Sequence, residues 1–170
     1  MRISWEGKVV KLKIEEAEYL YKRFMGFIEF FPHDIDRILR NNLSLGTWVV
    51  YPRGKSWDEL RSVGLVPSSW AMVSVCNNGS IFKLRVGKAP LSCHIYSKSS
   101  RMMDRIFPCL RIPALSDVFH PFGFYFMYGV HGEGRRSDKL VPALCQFVHN
   151  MATECKDCKV IIMEVGVATQ

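Results

Sequence analysis

The sequence lacks any apolar run as long as the roughly 18 residues that a membrane-spanning helix needs. Residues 1–8 contain no apolar stretch of the kind found in secretory signals. Internal repeats, low-complexity segments and a long basic tail are also missing. These absences argue against a membrane, secreted or repeat protein, and they predict an intracellular protein of the nucleus or the cytoplasm.

Most of the 6 cysteines lie in apolar surroundings, as Cys76 and Cys145 do, which is typical of free, buried thiols. Because no secretory signal is present, we expect reduced cysteines. Cys155 and Cys158 have CxxC spacing, but zinc needs further ligands, and neither a second CxxC nor a pair of histidines follows. The sequence therefore predicts no metal site and favours a helix-to-strand turn at residues 155–158.

The composition is that of one globular domain. The chain has 170 residues, of which 48% are hydrophobic and 23% charged, enough to bury a core without disorder. The net charge of +7 favours anionic partners, such as a phosphorylated cofactor. The basic residues are scattered, so we expect a solvated surface and no dedicated nucleic-acid site.

Hydrophobic periodicity predicts alternating strands and helices. Strands are predicted at residues 8–14, 46–51, 69–76, 81–86, 122–130 and 159–165, and helices at 15–25, 32–40, 92–107 and 139–154. The turn residues at 77–80 predict a hairpin between strands 69–76 and 81–86. Antiparallel strands followed by a β-α-β unit predict an α/β fold of the α+β kind, with a mixed, mostly antiparallel sheet and helices on both faces.

The last predicted helix carries apolar residues four apart, which indicates an amphipathic helix. Ser137 or Asp138 is the natural N-cap. Proline is best tolerated in the first turn of a helix, so Pro142 predicts a helix start near Lys139.

The segment before this helix, residues 129–136, contains Gly129, Gly132 and Gly134 and ends in Arg135 and Arg136. Glycines before a helix N-terminus let a phosphate approach the backbone, and the two cations suit a diphosphate. Turns need glycine in any case. The spacing alone therefore leaves both a phosphate site and an ordinary turn open, and it favours the turn.

Several segments resemble the C-terminal half of the plant Hookless-type N-acetyltransferases, which belong to the GNAT superfamily. The similar segments are residues 30–36, 43–47, 67–75, 121–129 and 132–134, and the likeness runs in order from 9 to 165. The resemblance implies one GNAT-like domain over residues 1–170, incomplete at its C-terminus because the family continues into further strands. It also implies that acetyl-CoA lies in a gap between splayed strands 122–130 and 160–165, with its pyrophosphate at a helix N-terminus.

The resemblance further implies the site residues. The cofactor contacts are expected at Val130, Gly132, Gly134, Arg135, Arg136 and Ser137. Direct acetyl transfer needs a base for the amine and an acid for the leaving thiolate. Glu133 and Tyr128 are the candidates for these roles, with His131, Tyr125 and Glu164 considered beside them. The implied reaction moves an acetyl group from acetyl-CoA to a protein amine, for example on a histone, with no membrane partner.

The loop also departs from the family. The usual GNAT loop is an Arg or Gln, two further residues and then GxG or GxA, followed directly by an aliphatic helix. Here Gly129 stands where the Arg or Gln belongs. This departure leaves an alternative open, in which the chain is a non-catalytic GNAT-like module that binds a partner or completes a larger protein.

Overall fold

The fold was analysed in a computed structural model, which describes residues 7–26, 34–54, 57, 66–85, 87 and 120–164. Five strands and three helices are present in these ranges. In chain order they are β1 (Gly7–Lys11), α1 (Ile14–Met25), α2 (Ile35–Leu39), β2 (Ser44–Pro52), β3 (Trp70–Asn77), β4 (Gly123–Glu133), α3 (Ser137–Glu154) and β5 (Cys158–Met163). None of the helices in the described ranges is long and apolar enough to cross a membrane.

The strands form one mixed sheet in the order β1-β2-β3-β4-β5. The first three pairings are antiparallel, and only β4 and β5 run parallel. A parallel pair needs a crossover, which α3 provides by connecting β4 to β5. This arrangement confirms the predicted α/β class with a terminal β-α-β unit.

Helices α1 and α2 pack on one face of the sheet. The first turn of α1 is acidic and its last turn is basic, which suits the helix dipole. The backbone N–H of Lys13 donates to the Glu16 carboxylate at 3.0 Å, which satisfies one donor at the helix start. The inner face of α1 buries Ala17, Leu20 and Tyr21 against the sheet.

Helix α3 packs on the opposite face of the sheet. Its buried residues recur every four positions, at Leu140, Leu144, Val148 and Ala152, as the sequence predicts. They lie against the apolar residues of β2, β3 and β4 that face this side. Each buried leucine or valine contributes about 1.5–3 kcal/mol. Helices therefore cover both faces, as expected.

The predicted hairpin between residues 69–76 and 81–86 is wrong. Asn78–Ser80 form a single 3-10 turn, and β3 has β2 and β4 as its two neighbours. Both edges of β3 are thus occupied by longer apolar strands. Leu84 makes only an isolated antiparallel bridge to Phe122.

The predicted start of the last helix is also wrong. Helix α3 begins at Ser137, and its N-cap is Arg136, which makes no side-chain capping bond. Pro142 therefore lies in the second turn. The missing N–H at that position costs one helical hydrogen bond, which the buried face of the helix offsets. The predicted helix at 92–107 and the similar segment at 30–33 lie outside the described residues.

A β-bulge interrupts β4 opposite β3. Met72 pairs with His131 and Ser74 pairs with Tyr128, so one residue of β3 faces the two residues Gly129 and Val130. Gly129 adopts a φ of +60°, and a Cβ at this position would overlap the Tyr21 ring and hydroxyl. The bulge and the α1 tyrosine therefore fit together only because residue 129 is glycine.

We predict that Gly129→Ala lowers the free energy of unfolding by about 3 kcal/mol, because the added methyl group overlaps the Tyr21 ring in a left-handed backbone conformation. Gly54→Ala is the matched control, because Gly54 has a φ of +103° but no described atom within 4 Å of an added Cβ. We expect it to lose only about 1 kcal/mol. Chemical denaturation measures both values, and equal losses would contradict a specific role for Tyr21.

Candidate functional site

The described pairing of the parallel strands β4 and β5 ends in the middle of β4. Their pairing runs from Gly123 opposite Cys158 to Met127 opposite Met163. The last bond of the ladder is donated by the Glu164 N–H to the Met127 carbonyl, at 3.0 Å. Beyond Met127, β4 continues for six residues, of which all but the bulge residues Gly129 and Val130 pair with β3, and none pairs with the described part of β5. In the described residues, the pairing of β4 with β5 thus ends at Met127.

The β-bulge at Gly129 and Val130 begins two residues after Met127, the last β4 residue with a described partner in β5. A bulge bends its strand and increases the local twist. Gly129 and Val130 form the bulge, so β4 changes course two residues after its last described bond to β5. The splayed strands that the resemblance implies remain an expectation.

Strand β4 is longer than predicted. His131, Gly132 and Glu133 pair with Met72, Ala71 and Trp70 and belong to the strand, whereas the sequence predicted a turn there. The turn itself is short and covers residues 134–136. The predicted base Glu133 therefore lies at the end of a strand.

The chain's own atoms fill the space beside the two loop glycines. Gly134 has a φ of +83°, and a Cβ there would overlap the Ser68 carbonyl. A Cβ on Gly132 would lie 3.0 Å from the side chains of Ser137 and Val141 in the first turns of α3. These glycines therefore let the loop pack against β3 and α3, which supports the structural explanation of their positions.

The start of α3 combines a helix N-terminus with two cations. Arg135 and Arg136 are exposed there, and the Arg136 carbonyl accepts 3.1 Å bonds from the N–H groups of Lys139 and Leu140. The Ser137 N–H donates to the Gly134 carbonyl at 3.1 Å. Several of the first donors are thus satisfied internally, and the two guanidinium groups supply most of the remaining attraction for an anion.

The predicted cofactor residues all lie in the stretch from the end of β4 to the start of α3. They are Val130, Gly132, Gly134, Arg135, Arg136 and Ser137. Val130 is half-buried among the apolar residues under α3, so its side chain belongs to the core.

A buried group of hydroxyls lies beside the point where the described pairing of β4 and β5 ends, on the α1 side of the sheet. The Tyr21 hydroxyl donates to the Ser74 Oγ at 2.8 Å, and Ser74 shares a 2.6 Å bond with the Thr47 hydroxyl. The ring of Tyr128 stacks on Tyr21, with centroids 6.4 Å apart. Sequence reasoning missed Tyr21 and Ser74, although a serine inside the apolar strand β3 was a usable signal.

The hydroxyl of Tyr128 is buried and has no hydrogen-bond partner of ordinary geometry among the described residues. The Cys76 thiol lies nearby. Burial, together with the proximity of Cys76 and Tyr21, raises the pKa of Tyr128 well above its usual range. Tyr128 therefore stays protonated at physiological pH.

The charge of Glu164 acts on the same buried hydroxyls, because it helps to raise the pKa of Tyr21. Burial is the main reason that the pKa of Tyr21 is raised, while the bond with Ser74 lowers it and the charges of Cys76 and Glu164 raise it further. Glu164 is exposed and marks the point where β5 leaves β4. The Glu164 carboxylate thus lies where the described pairing of β4 and β5 ends.

His131 and Glu133 form a second polar pair on this face. The His131 Nε2 lies 3.2 Å from the Glu133 Oε1. The imidazole is held between Phe24 and Trp70, with ring centroids 5.7 and 5.6 Å away. Glu133 is half-exposed, so it is accessible to a substrate, while the aromatic rings fix the orientation of His131.

Known proteins similar to this chain are plant acetyltransferases. "Probable N-acetyltransferase HLS1-like" of Arabidopsis thaliana is 43% identical over 98% of the chain, and "Probable N-acetyltransferase HLS1" of the same plant is 40% identical over 98%. This chain is homologous to the Hookless-type N-acetyltransferases. "Acetyl transferase GW6a" of Oryza sativa subsp. japonica is 31% identical over 94% of the chain.

The chain spans less than half the length of these relatives. The matches cover 42% and 43% of the two Arabidopsis proteins and 36% of the rice protein. No protein-family model matches the chain, and no solved structure matches it. The homology to Hookless-type proteins therefore rests on the sequence matches, and the mixed sheet is consistent with it.

We predict that Tyr128→Phe leaves the free energy of unfolding unchanged or raises it by up to about 1 kcal/mol, because it removes a buried hydroxyl that has no hydrogen-bond partner of ordinary geometry among the described residues. Tyr21→Phe is the comparison. It removes the donor to Ser74 and should cost about 1–2 kcal/mol. Urea denaturation of both variants gives the ranking, and a larger loss for Tyr128→Phe would show that its hydroxyl contributes to folding.

Proposed function

We propose that this chain is a single GNAT-like domain that binds acetyl-CoA where β4 and β5 part. The observation that carries the proposal is the end of the parallel pairing at Met127, followed directly by the bulge at Gly129. An open strand edge presents unpaired backbone N–H and C=O groups. The pantetheine arm of coenzyme A contains amides, so it has the chemistry to pair with such an edge beyond Met127.

The charged end of the cofactor would lie at the start of α3. Its diphosphate would meet Arg135 and Arg136, with the helix N-terminus adding a partial positive charge. The net charge of +7 adds a long-range attraction for the same anion. The thioester end would lie toward Tyr128, at the inner end of the parting.

The transfer step uses Glu133 and Tyr128. The carboxylate of Glu133, hydrogen-bonded to His131, takes a proton from the acceptor amine, which then attacks the thioester carbonyl. The tetrahedral intermediate collapses and expels the thiolate of coenzyme A. We assign to Tyr128 the donation of the proton that the thiolate needs, because its hydroxyl is protonated in the folded protein.

In the complete protein we propose that the acceptor is a protein amine, such as a histone lysine, in the nucleus or the cytoplasm. The relatives' names support acetyl transfer to nitrogen. The proposed domain covers residues 1–170, and the further length of the relatives supports the expectation that other segments complete it.

The alternative is a non-catalytic module that binds a partner or completes a larger protein. The filled spaces beside Gly132 and Gly134 favour it, because the chain's own atoms occupy the position that a side chain would take at these residues. The two functions share the same fold and differ in whether the parting between β4 and β5 accepts acetyl-CoA.

We predict that the double variant Arg135→Glu with Arg136→Glu weakens acetyl-CoA binding by at least about tenfold, because each arginine removed takes away a charge-assisted bond to phosphate. Arg37→Glu with Arg40→Glu is the matched control, because it makes the same charge change on α2, on the opposite face of the sheet. Isothermal titration calorimetry measures both. Equal weakening in both double variants would show that the effect comes from net charge alone. If the wild-type chain does not bind acetyl-CoA at millimolar concentration, the non-catalytic alternative is favoured.

We predict that Glu133→Gln lowers kcat for amine acetylation by about 10²-fold or more while leaving acetyl-CoA affinity unchanged, because glutamine cannot accept the proton. Glu154→Gln, an exposed carboxylate at the far end of α3, should leave kcat unchanged. Acetyl transfer to a model amine is followed by release of free coenzyme A thiol. An unchanged kcat in Glu133→Gln would remove Glu133 from the mechanism.

A further inference from the structure

The connection between α3 and β5 holds two cysteines at the ends of one turn. Cys155 is the C-cap of α3, and Cys158 is the first residue of β5. The Cys158 N–H donates to the Cys155 carbonyl at 3.1 Å, which closes a β-turn. The Cα atoms at the ends of such a turn lie within about 7 Å of each other. A disulfide needs a Cα separation of about 4.4–6.8 Å, so the turn suits one.

The turn is fixed by bonds that do not involve sulfur. The Asp157 carbonyl accepts a 3.0 Å bond from the Gly123 N–H at the start of β4. The Asp157 carboxylate forms an ion pair with Lys83, and the Cys155 N–H donates to the Ala152 carbonyl at 3.1 Å. Folding therefore presets the spacing of the two thiols, whatever their oxidation state.

The two sulfurs have different surroundings. Burial alone would raise the pKa of Cys155, but the nearby Tyr125 hydroxyl and the backbone N–H groups of Cys158 and Asp157 favour its thiolate, so the pKa is lowered overall. The Cys158 thiol instead donates to the Val160 carbonyl at 3.4 Å, and burial raises its pKa. Cys155 is thus the better nucleophile of the pair.

The other described cysteines lack this arrangement. Burial raises the pKa of both Cys76 and Cys145, and neither has a second cysteine within three residues. Cys155 and Cys158 are both half-buried, and both contact the same apolar cluster under α3. The pair therefore combines a stabilised nucleophile, a neighbouring thiol and partial access to solvent.

We propose that Cys155 and Cys158 are a redox modification site that reacts with a small-molecule disulfide of the glutathione type. The Cys155 thiolate attacks one sulfur of the disulfide. A Cys155–glutathione bond forms, the original S–S bond breaks, and one glutathione thiolate leaves and takes a proton from water. Cys158 then loses its proton and attacks the Cys155 sulfur, which releases the second glutathione. Two protein thiols are oxidised, and one glutathione disulfide is reduced to two thiols.

This site is separate from the proposed cofactor site. In the parallel pair, Cys158 lies opposite Gly123 at one end, and the strands part at Met127 at the other end. Failure of either proposal is therefore distinguishable from failure of the other.

The test is mass spectrometry of the folded chain after exposure to oxidised glutathione. Trypsin cuts after Lys139, Lys156 and Lys159, so a Cys155–Cys158 disulfide joins peptide 140–156 to peptide 157–159. We expect this linked species to form, with fragmentation placing the bond on Cys155 and not on Cys145. In Cys158→Ser we expect glutathione to be trapped on Cys155, on the order of tenfold faster than on Cys145.

Control variants show which cysteine reacts with glutathione disulfide first. Cys145→Ser should form the linked peptide at the wild-type rate, and Cys155→Ser should not form it. Two results would overturn the proposal: modification of Cys145 or Cys76 as fast as Cys155, or a Cys155–glutathione adduct in the wild type that persists without linkage to Cys158. Circular dichroism of each variant checks that the fold is retained.

Discussion

The contact between Tyr21 and the Gly129 bulge is the interaction on which the candidate site depends. The tyrosine hydroxyl bonds to Ser74 of β3, and its ring occupies the space that any side chain at residue 129 would fill. A single buried residue of α1 thereby ties β3 to the bulged segment of β4. The bulge lies two residues beyond Met127, where the described pairing of β4 with β5 ends.

The two faces of the sheet contribute different chemistry to the candidate site. On the α3 side lie the helix N-terminus and the exposed arginines, which suit phosphate. On the α1 side lie Tyr128 and the His131–Glu133 pair, which suit proton transfer. The filled spaces beside Gly132 and Gly134 distinguish this loop from an open phosphate cradle. Arginine side chains therefore carry more of the proposed recognition than the loop backbone does.

Much of the architecture was predictable from sequence, because the spacing of apolar residues indicates which side chains are buried. The four-residue spacing from Leu140 to Ala152 and the apolar run of β4 correctly predicted α3 and an internal strand of the sheet. The hairpin after β3 was predicted wrongly, because the turn residues at 77–80 carry only local information. Pairing is decided by competition between strands, and β4 offers a longer apolar surface than residues 81–86 do.

The site was less predictable than the fold. Loop glycines look alike in sequence, whether a ligand or the chain's own atoms fill the space beside them, and only the structure shows Ser68 next to Gly134. The bonds between Tyr21, Ser74 and Thr47 join residues 27 and 53 positions apart, which no local pattern reveals. The His131–Glu133 pair was missed because both residues were placed in a turn, where side chains at i and i+2 do not share a face as they do in a strand.

The most direct test of the central claim is amide NMR of the isotopically labelled chain titrated with acetyl-CoA. If the cofactor lies in the parting between β4 and β5, the amide signals of Tyr128 to Ser137 and of Met163 and Glu164 shift in a saturable way. Those of α2, on the opposite face from α3, stay in place. Saturable shifts confined to other residues, or no shifts at millimolar acetyl-CoA, would contradict it.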